Sequence, residues 1–103
     1  MLRSLAIVPL VAVPVLAAPS VLAHDAPSGW PYPPACCSTM DCYPINGSDI
    51  DEGRDGIVVK ATGELIAYWS RKLKPSGDGQ YHRCSHQGDR SRTTICLFLP
   101  AGS

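Results

Sequence analysis

Two runs of strand-forming residues, 57–59 and 65–69, flank a short segment that ends in Gly63. Valine, isoleucine and aromatic residues favour strands, and glycine tolerates the left-handed conformation of a tight turn, so this stretch predicts a β-hairpin. We expect a three-residue loop at 61–63 that pairs Lys60 with Glu64, because this register separates apolar from charged positions. It gives one wholly apolar face, formed by Ile57, Val59, Leu65, Ala67 and Trp69.

A second pair of strand-like runs follows at 81–85 and 93–99, joined by the polar segment 87–92. Prolines and cysteines interrupt any periodicity in 24–45, which predicts an extended loop there. The predicted fold is a small, mostly-β domain over 24–103, with an antiparallel sheet of about four strands in hairpins within 56–99. The Pro-rich N-terminal loop 24–45 is expected to be tethered by disulfides and packed across this sheet.

The first 23 residues have a different character. Arg3 precedes an apolar run from Leu5 to Ala18, and Ala23 follows at a small-residue cleavage site, a pattern typical of a secretory signal peptide. The run has about 14 residues against the ~20 that span a bilayer, which disfavours an uncleaved anchor. We therefore expect residues 1–23 to be removed, leaving His24 as the N-terminus of a periplasmic or secreted protein with no membrane span.

Five cysteines lie in the predicted mature chain, three in the loop and two in the second hairpin: Cys36, Cys37, Cys42, Cys84 and Cys96. A domain of this size has a small core, and exported proteins form disulfides, so we expect two bridges and one leftover thiol. Because the loop has little core of its own, at least one bridge should join it to the second hairpin. The connectivity stays open, since Cys42–Cys96 and Cys84–Cys96 would stabilise by about 4 and 3 kcal/mol.

The balance of charged residues argues against a nucleic acid as the partner. The chain carries 9 basic and 9 acidic side chains, so it lacks the basic excess that nucleic-acid binding requires. Residues 24–55 hold six acidic and one basic side chain (−5), and residues 56–103 hold three acidic and seven basic (+4). A polyanionic partner would require one shared face for the basic residues Arg71, Lys72, Lys74, Arg83, Arg90 and Arg92.

Histidines offer one candidate metal site. Cleavage before His24 would place an amine and an imidazole on one residue, a pair that binds copper in nitrogen-rich sites. His82 and His86 alternate with Cys84 and would share a strand face with it if the strand stays regular. A copper or zinc site at His24, His82 and His86 is thus one hypothesis. The other is that His82 and His86 are ordinary hairpin residues and that His24 only marks the end of the signal peptide.

The rigid segment 30–34, Trp-Pro-Tyr-Pro-Pro, offers a further hypothesis. An exposed Trp30 would suit the probe of a small secreted enzyme inhibitor, whereas a packed Trp30 indicates that aromatic and proline rings cover the sheet. The chain shows no Ser, His and acid spacing typical of a triad, no glycine-rich phosphate loop and no paired carboxylates. We therefore expect no enzymatic activity.

Several short motifs occur together in the mature chain. They are Gly29-Trp30-x-Tyr32-Pro33, Cys36-Cys37-Ser38-x-x-Asp41-Cys42, Thr62-Gly63-Glu64, Gly77-Asp78-Gly79-x-Tyr81-His82-x-Cys84 and Cys96-Leu97-Phe98-x-Pro100. In this combination the chain resembles a group of short exported proteins of unknown function from Gram-negative bacteria. The resemblance implies export and a compact cysteine-containing domain, and it brings no catalytic or binding residues with it.

The function expected from the sequence is that of a non-catalytic interaction or structural module. Its expected partner is another envelope or extracellular protein, and no cofactor is expected. The alternatives are metal binding through the three histidines, with copper or zinc as the ion, and inhibition of an enzyme through the segment 30–34.

Overall fold

A computed structural model describes residues 24–102, so the predicted signal peptide, 1–23, lies outside the described residues. Seven short strands make up most of the regular structure. They are β1 (Cys42–Ile45), β2 (Ile50–Glu52), β3 (Gly56–Val59), β4 (Glu64–Ala67), β5 (Leu73–Pro75), β6 (Tyr81–Ser85) and β7 (Thr94–Leu99). Two single turns of 3-10 helix, Gly47–Asp49 and His86–Gly88, complete it.

The strands form two sheets, one with the order β1-β6-β7-β5 and one with the order β2-β3-β4. The mostly-β class is confirmed, but the single antiparallel sheet of about four strands is wrong, because β5 pairs parallel to β7 and a second sheet exists. β1, β2 and β5 are three or four residues long and contain proline or acidic residues. Such short strands carry too little alternation to be recognised locally.

The predicted register of the first hairpin, which joins β3 to β4, is wrong by one residue. Val59, not Lys60, lies opposite Glu64, and the loop spans the four residues 60–63 with Gly63 at φ +75°. Ile66 is therefore buried with only 4% exposed, and Leu65 points outward with 58% exposed. The predicted apolar face fails because Glu64 shares the inner face with Ile66, where Thr94 and Arg83 bind its carboxylate.

The second hairpin, β6 and β7, matches its prediction closely. His82 lies opposite Phe98 and Cys84 opposite Cys96, and a bulge follows at 84–85. β1 lies along the other side of β6 and pairs Cys42 with Cys84. Because directly paired positions share a sheet face, three cysteines form a row across three strands on one face.

The four-stranded sheet is covered on both faces. One face carries the cysteine row and Phe98, and the N-terminal segment packs on it through Ala26, Tyr32, Cys36 and Cys37. The opposite face presents Leu97 to the three-stranded sheet, whose Ile50, Ile57, Val59 and Ile66 complete a second apolar cluster. The molecule is thus layered as segment, sheet and sheet.

Of the two disulfides, Cys36–Cys96 joins the N-terminal segment to the four-stranded sheet, and Cys42–Cys84 joins the neighbouring strands β1 and β6 within that sheet. The expected bridge between the loop cysteines and the second hairpin is confirmed, since both bridges have this form. Neither Cys42–Cys96 nor Cys84–Cys96 forms, because Cys42 reaches the central Cys84 of the row from β1. The bridged residues are 60 and 42 positions apart, which corresponds to about 4 kcal/mol of loop-closure stabilisation for each bridge.

Cys37 keeps a free, buried thiol, as the odd number of cysteines predicts. Across residues 24–102, no helix combines the length and apolarity that crossing a bilayer requires.

Candidate functional site

The three histidines of the metal hypothesis lie in different environments. His82 is buried on β6, whereas His86 begins the 3-10 turn after β6 ends, so the predicted strand alternation stops before it. His24 lies on the N-terminal segment, with Nδ1 2.6 Å from the carbonyl oxygen of Thr39. Residues 24–102 contain no cluster of three or more His, Cys, Asp or Glu side chains that could hold a metal ion. The copper or zinc site at His24, His82 and His86 therefore stays a prediction from sequence.

His82 forms the centre of a buried hydrogen-bonded chain. Its Nε2 lies 2.7 Å from Oδ1 of Asp78, and its Nδ1 lies 2.7 Å from the hydroxyl of Tyr32. Ser28 donates to Oδ2 of Asp78 at 2.6 Å, so the chain links two points of the N-terminal segment to β6 and to the turn before it. An ionised Asp78 can only accept, which leaves Nδ1 of a neutral His82 to accept from Tyr32.

The protonation states in this chain follow from its surroundings. Burial acts to raise the pKa of Asp78, but hydrogen bonds from Ser28, His82, Gln80 and Ser76 outweigh burial and hold this pKa below its usual range. Burial, together with the nearby charges of Asp78 and Cys37, raises the pKa of the Tyr32 hydroxyl to about 12. Asp78 is thus an anion and Tyr32 a neutral hydroxyl at neutral pH, which is compatible with His82 Nε2 donating to Asp78.

Trp30 closes this chain from one side. Its ring lies 5.1 Å from His82, 5.3 Å from Tyr32 and 5.0 Å from Phe98, measured between centroids. Gly77 leaves room for the indole, because a Cβ there would lie 2.0 Å from Nε1 of Trp30. Trp30 is therefore packed rather than presented to solvent, which favours the covering role of the segment 30–34 over an inhibitor probe.

A second polar cluster surrounds Arg83, which is buried on the other face of β6. Nε donates to Thr94 at 2.7 Å, Nη1 donates to Tyr43 at 2.8 Å and to the carbonyl of Arg90 at 2.9 Å, and Nη2 reaches Glu64 and the carbonyl of Arg92. These five contacts match the five N–H donors of a guanidinium group. Arg83 thus holds the loop before β7 and has no donor left for a ligand.

The condition for a polyanionic partner, one shared face for the six basic residues, is not met. Arg83 is buried, Arg90 stacks 4.3 Å from the ring centroid of Tyr43, and Arg92 pairs with Asp89 at 3.6 Å. A cavity of about 290 Å³ lies between the sheets beside Tyr43, Val59 and Arg83. Since the Arg83 donors are all used, this buried guanidinium offers no binding group to that cavity.

Cys37 lies beneath His24, with its Sγ 3.6 Å from Nδ1 of His24 and 3.3 Å from the carbonyl oxygen of Thr39. Cysteine and histidine also occur together in nucleophilic sites, but a reactive thiol needs access and a thiolate. Cys37 is fully buried and donates to a backbone carbonyl. This pair therefore ties the start of the described chain to the segment below it.

Exposed apolar side chains occur where β4 ends. Trp69 is 89% exposed, Leu65 58% and Tyr68 50%, and together they form what we call the Trp69 surface. Tyr68 donates its hydroxyl to the carbonyl of Gly53 at 2.5 Å, which fixes this ring against the turn between β2 and β3. The predicted register placed Leu65 and Trp69 in the core, so sequence reasoning missed this surface. The unusual density of apolar residues around β4 was its only signal.

Trp69 is 89% exposed, and a tryptophan contributes strongly to interface energetics when a partner covers it. The two polar clusters, in contrast, are internally satisfied; within residues 24–102 no buried side-chain nitrogen or oxygen lacks a partner. The Trp69 surface is therefore the best candidate for function.

Comparison with protein-family models, curated proteins and solved structures finds no match for this chain.

Proposed function

We propose that this protein is an exported, disulfide-stapled and non-catalytic module that binds a partner protein through the Trp69 surface. The observation that carries the proposal is the 89% exposure of Trp69 at the corner where β4 ends. Tryptophan and tyrosine are the residues that most often anchor protein interfaces. A partner covering Trp69, Tyr68 and Leu65 would remove this apolar area from water.

Rigidity makes such a surface effective. Tyr68 is held by its bond to Gly53, and Trp69 lies inside a tight turn closed by Ser70 N and the carbonyl of Ala67 at 2.9 Å. The fold behind this corner is cross-linked by two disulfides, one between the N-terminal segment and β7 and one between β1 and β6. Binding to a preorganised surface costs little ordering entropy, which supports an interaction role for a small domain.

Two features support the non-catalytic part of the proposal. The chain from Asp78 through His82 to Tyr32 has the residue types of a proton relay, but Trp30 and Phe98 enclose it and Tyr32 is buried. Arg83 has its donors filled by the protein itself. Buried groups whose hydrogen bonds are satisfied within the protein stabilise the fold, which supports a structural role for both clusters.

Export is supported by the residues 1–23 and by the disulfides, which persist in oxidising compartments. Intact mass of the protein recovered outside the cytoplasm tests this part, because loss of residues 1–23 and of four thiol hydrogens is expected. A recovered chain that retains residues 1–23 or has five free thiols would contradict export with oxidation.

The binding function is tested by photo-crosslinking in the cells that make the protein. A benzophenone amino acid replaces Leu65 at the Trp69 surface or, as a control, Met40, which is 65% exposed elsewhere. We expect a discrete adduct from position 65 and none of the same mass from position 40. Absence of any adduct from position 65, in protein that is folded and oxidised, would overturn the proposed function.

A further inference from the structure

Building on the proposed function, we propose that the partner on the Trp69 surface is a second copy of this chain, related to the first by a two-fold axis through the apolar centre. A two-fold interface uses the same patch on both copies. Each group in the patch must therefore face a complementary group of the same patch on the other copy. Apolar groups satisfy this condition with one another. Charged groups satisfy it only if the patch carries both signs on separate flanks.

The acidic flank is the turn between β2 and β3. Residues 51–55 contain three carboxylates and one arginine, for a charge of −2. The hydrogen bond from Tyr68 to Gly53 places this turn directly beside Tyr68, the residue before Trp69. Asp55 is exposed at the end of the turn, and no cationic group of residues 24–102 forms a salt bridge with it.

The basic flank is the segment that leaves Trp69 towards β5. Residues 70–74 contain Arg71, Lys72 and Lys74 and no carboxylate, for a charge of +3. Two consecutive turns keep this segment close to Trp69, through Ser70 N to the carbonyl of Ala67 and Leu73 N to the carbonyl of Ser70. No carboxylate within residues 24–102 forms a salt bridge with these three side chains.

A second copy rotated about the apolar centre brings the acidic flank of each chain against the basic flank of the other. Other occupants fit this arrangement less well. A lipid surface carries one sign of charge, so it would attract one flank and repel the other. One acidic and one basic segment, each joined to the apolar residues by a hydrogen-bonded turn, therefore favour a self-complementary contact.

Sedimentation of the oxidised protein over roughly 10 μM to 1 mM tests the dimer, because a contact with three apolar anchors is at the small end of specific interfaces and should be weak. We expect a reversible dimer that weakens with added salt and that weakens about tenfold or more in Trp69→Ala. Met40→Ala is the control and should leave association unchanged. A protein that stays monomeric at 1 mM, or dimerises equally well without Trp69, overturns the proposal.

Charge exchange gives the sharpest test. In the proposed dimer, position 55 of each copy faces position 71 of the other. Asp55→Lys or Arg71→Glu therefore makes both of these contacts repulsive, so each variant alone should be monomeric. In a heterodimer of the two variants, the lysine of Asp55→Lys faces the glutamate of Arg71→Glu, and the unchanged Arg71 faces the unchanged Asp55. Both contacts are then attractive, so we expect heterodimers to form in the mixture. Arg92→Glu, a charge change outside the Trp69 surface, should dimerise as the parent does. If the mixture stays monomeric while the parent dimerises, the proposed orientation is wrong.

The crosslinked adduct from position 65 separates this inference from the proposed function. An adduct with twice the mass of the chain supports both. An adduct of another mass supports binding through the Trp69 surface and refutes the second copy as its partner. No adduct refutes both.

Discussion

Replacing Asp78 with asparagine tests whether the buried chain at His82 holds the N-terminal segment on the sheet. The carboxylate accepts four hydrogen bonds, from Ser28 at 2.6 Å, His82 at 2.7 Å, and Ser76 and the backbone of Gln80 at 3.0 Å. Asparagine has the same shape, but it is neutral and replaces one acceptor with an amide that donates. The substitution therefore removes charge assistance without opening a cavity.

The expected magnitude follows from the strength of these bonds. Hydrogen bonds to a charged group contribute about 1.5–3 kcal/mol each, against about 0.5–1.5 kcal/mol for neutral pairs. Four bonds weakened by about 1 kcal/mol give an upper value near 4 kcal/mol, and bonds that share one acceptor group are not additive. We expect Asp78→Asn to lower the free energy of unfolding by about 2–3 kcal/mol at pH 7.

The loss of unfolding free energy in Asp78→Asn should become smaller as the pH falls. Hydrogen bonding holds the pKa of Asp78 below its usual range in the folded protein, whereas an unfolded aspartate titrates near 3.9. The stabilisation from the ionised carboxylate is therefore complete above about pH 4 and is lost as the pH falls through the folded pKa. The difference between the parent and Asp78→Asn should shrink below pH 4.

Urea unfolding at pH 7 and at pH 3, followed by tryptophan fluorescence, measures both values. Asp55→Asn is the matched control, because Asp55 is exposed and forms no salt bridge within the described chain. Its effect should stay within about 0.5 kcal/mol at either pH. A deficit for Asp78→Asn below this value at pH 7, or one that is equal at both pH values, would refute the reasoning.

Three further outcomes follow from the layer over the sheet. Gly77→Ala should displace Trp30, since the new Cβ would lie 2.0 Å from the indole nitrogen; we expect a loss of about 2–4 kcal/mol and a red-shifted emission, and unchanged fluorescence would contradict the packing. Removing the bridge in Cys36→Ser/Cys96→Ser should cost about 4 kcal/mol in urea unfolding, and a cost under 1 kcal/mol would show that the loop contributes little. The buried Cys37 thiol should react with a thiol reagent only after denaturation, and rapid labelling of native protein would disprove its burial.

Local sequence determined the class of structure and the second hairpin. The runs at 81–85 and 93–99 are strands within a residue of the predicted bounds, and β7 contains Thr94, Ile95 and Phe98, which are residue types that favour strands. The odd number of cysteines correctly predicted one free thiol, and the sparse core correctly predicted bridges from the loop to this hairpin. These properties depend on composition and on neighbours in the chain.

The sheet topology and the candidate site depended on contacts between distant residues. The register of β4 follows from Glu64, whose carboxylate is bound by Thr94, thirty positions away. Alternation alone assigns such a charge to the solvent face, and only a buried partner reverses that assignment. The same shift turned Leu65 outward and created the Trp69 surface.

His82 is another residue whose role depends on contacts with distant parts of the chain. Sequence spacing grouped it with His86 as a candidate ligand, but Tyr32, fifty positions earlier, and Asp78 occupy both of its ring nitrogens. The sequence by itself determined the strand-forming segments and the need for disulfides, because propensity and composition act locally. The tertiary structure alone decided which polar groups are buried with partners and which apolar groups face solvent, because both depend on what packs against each strand.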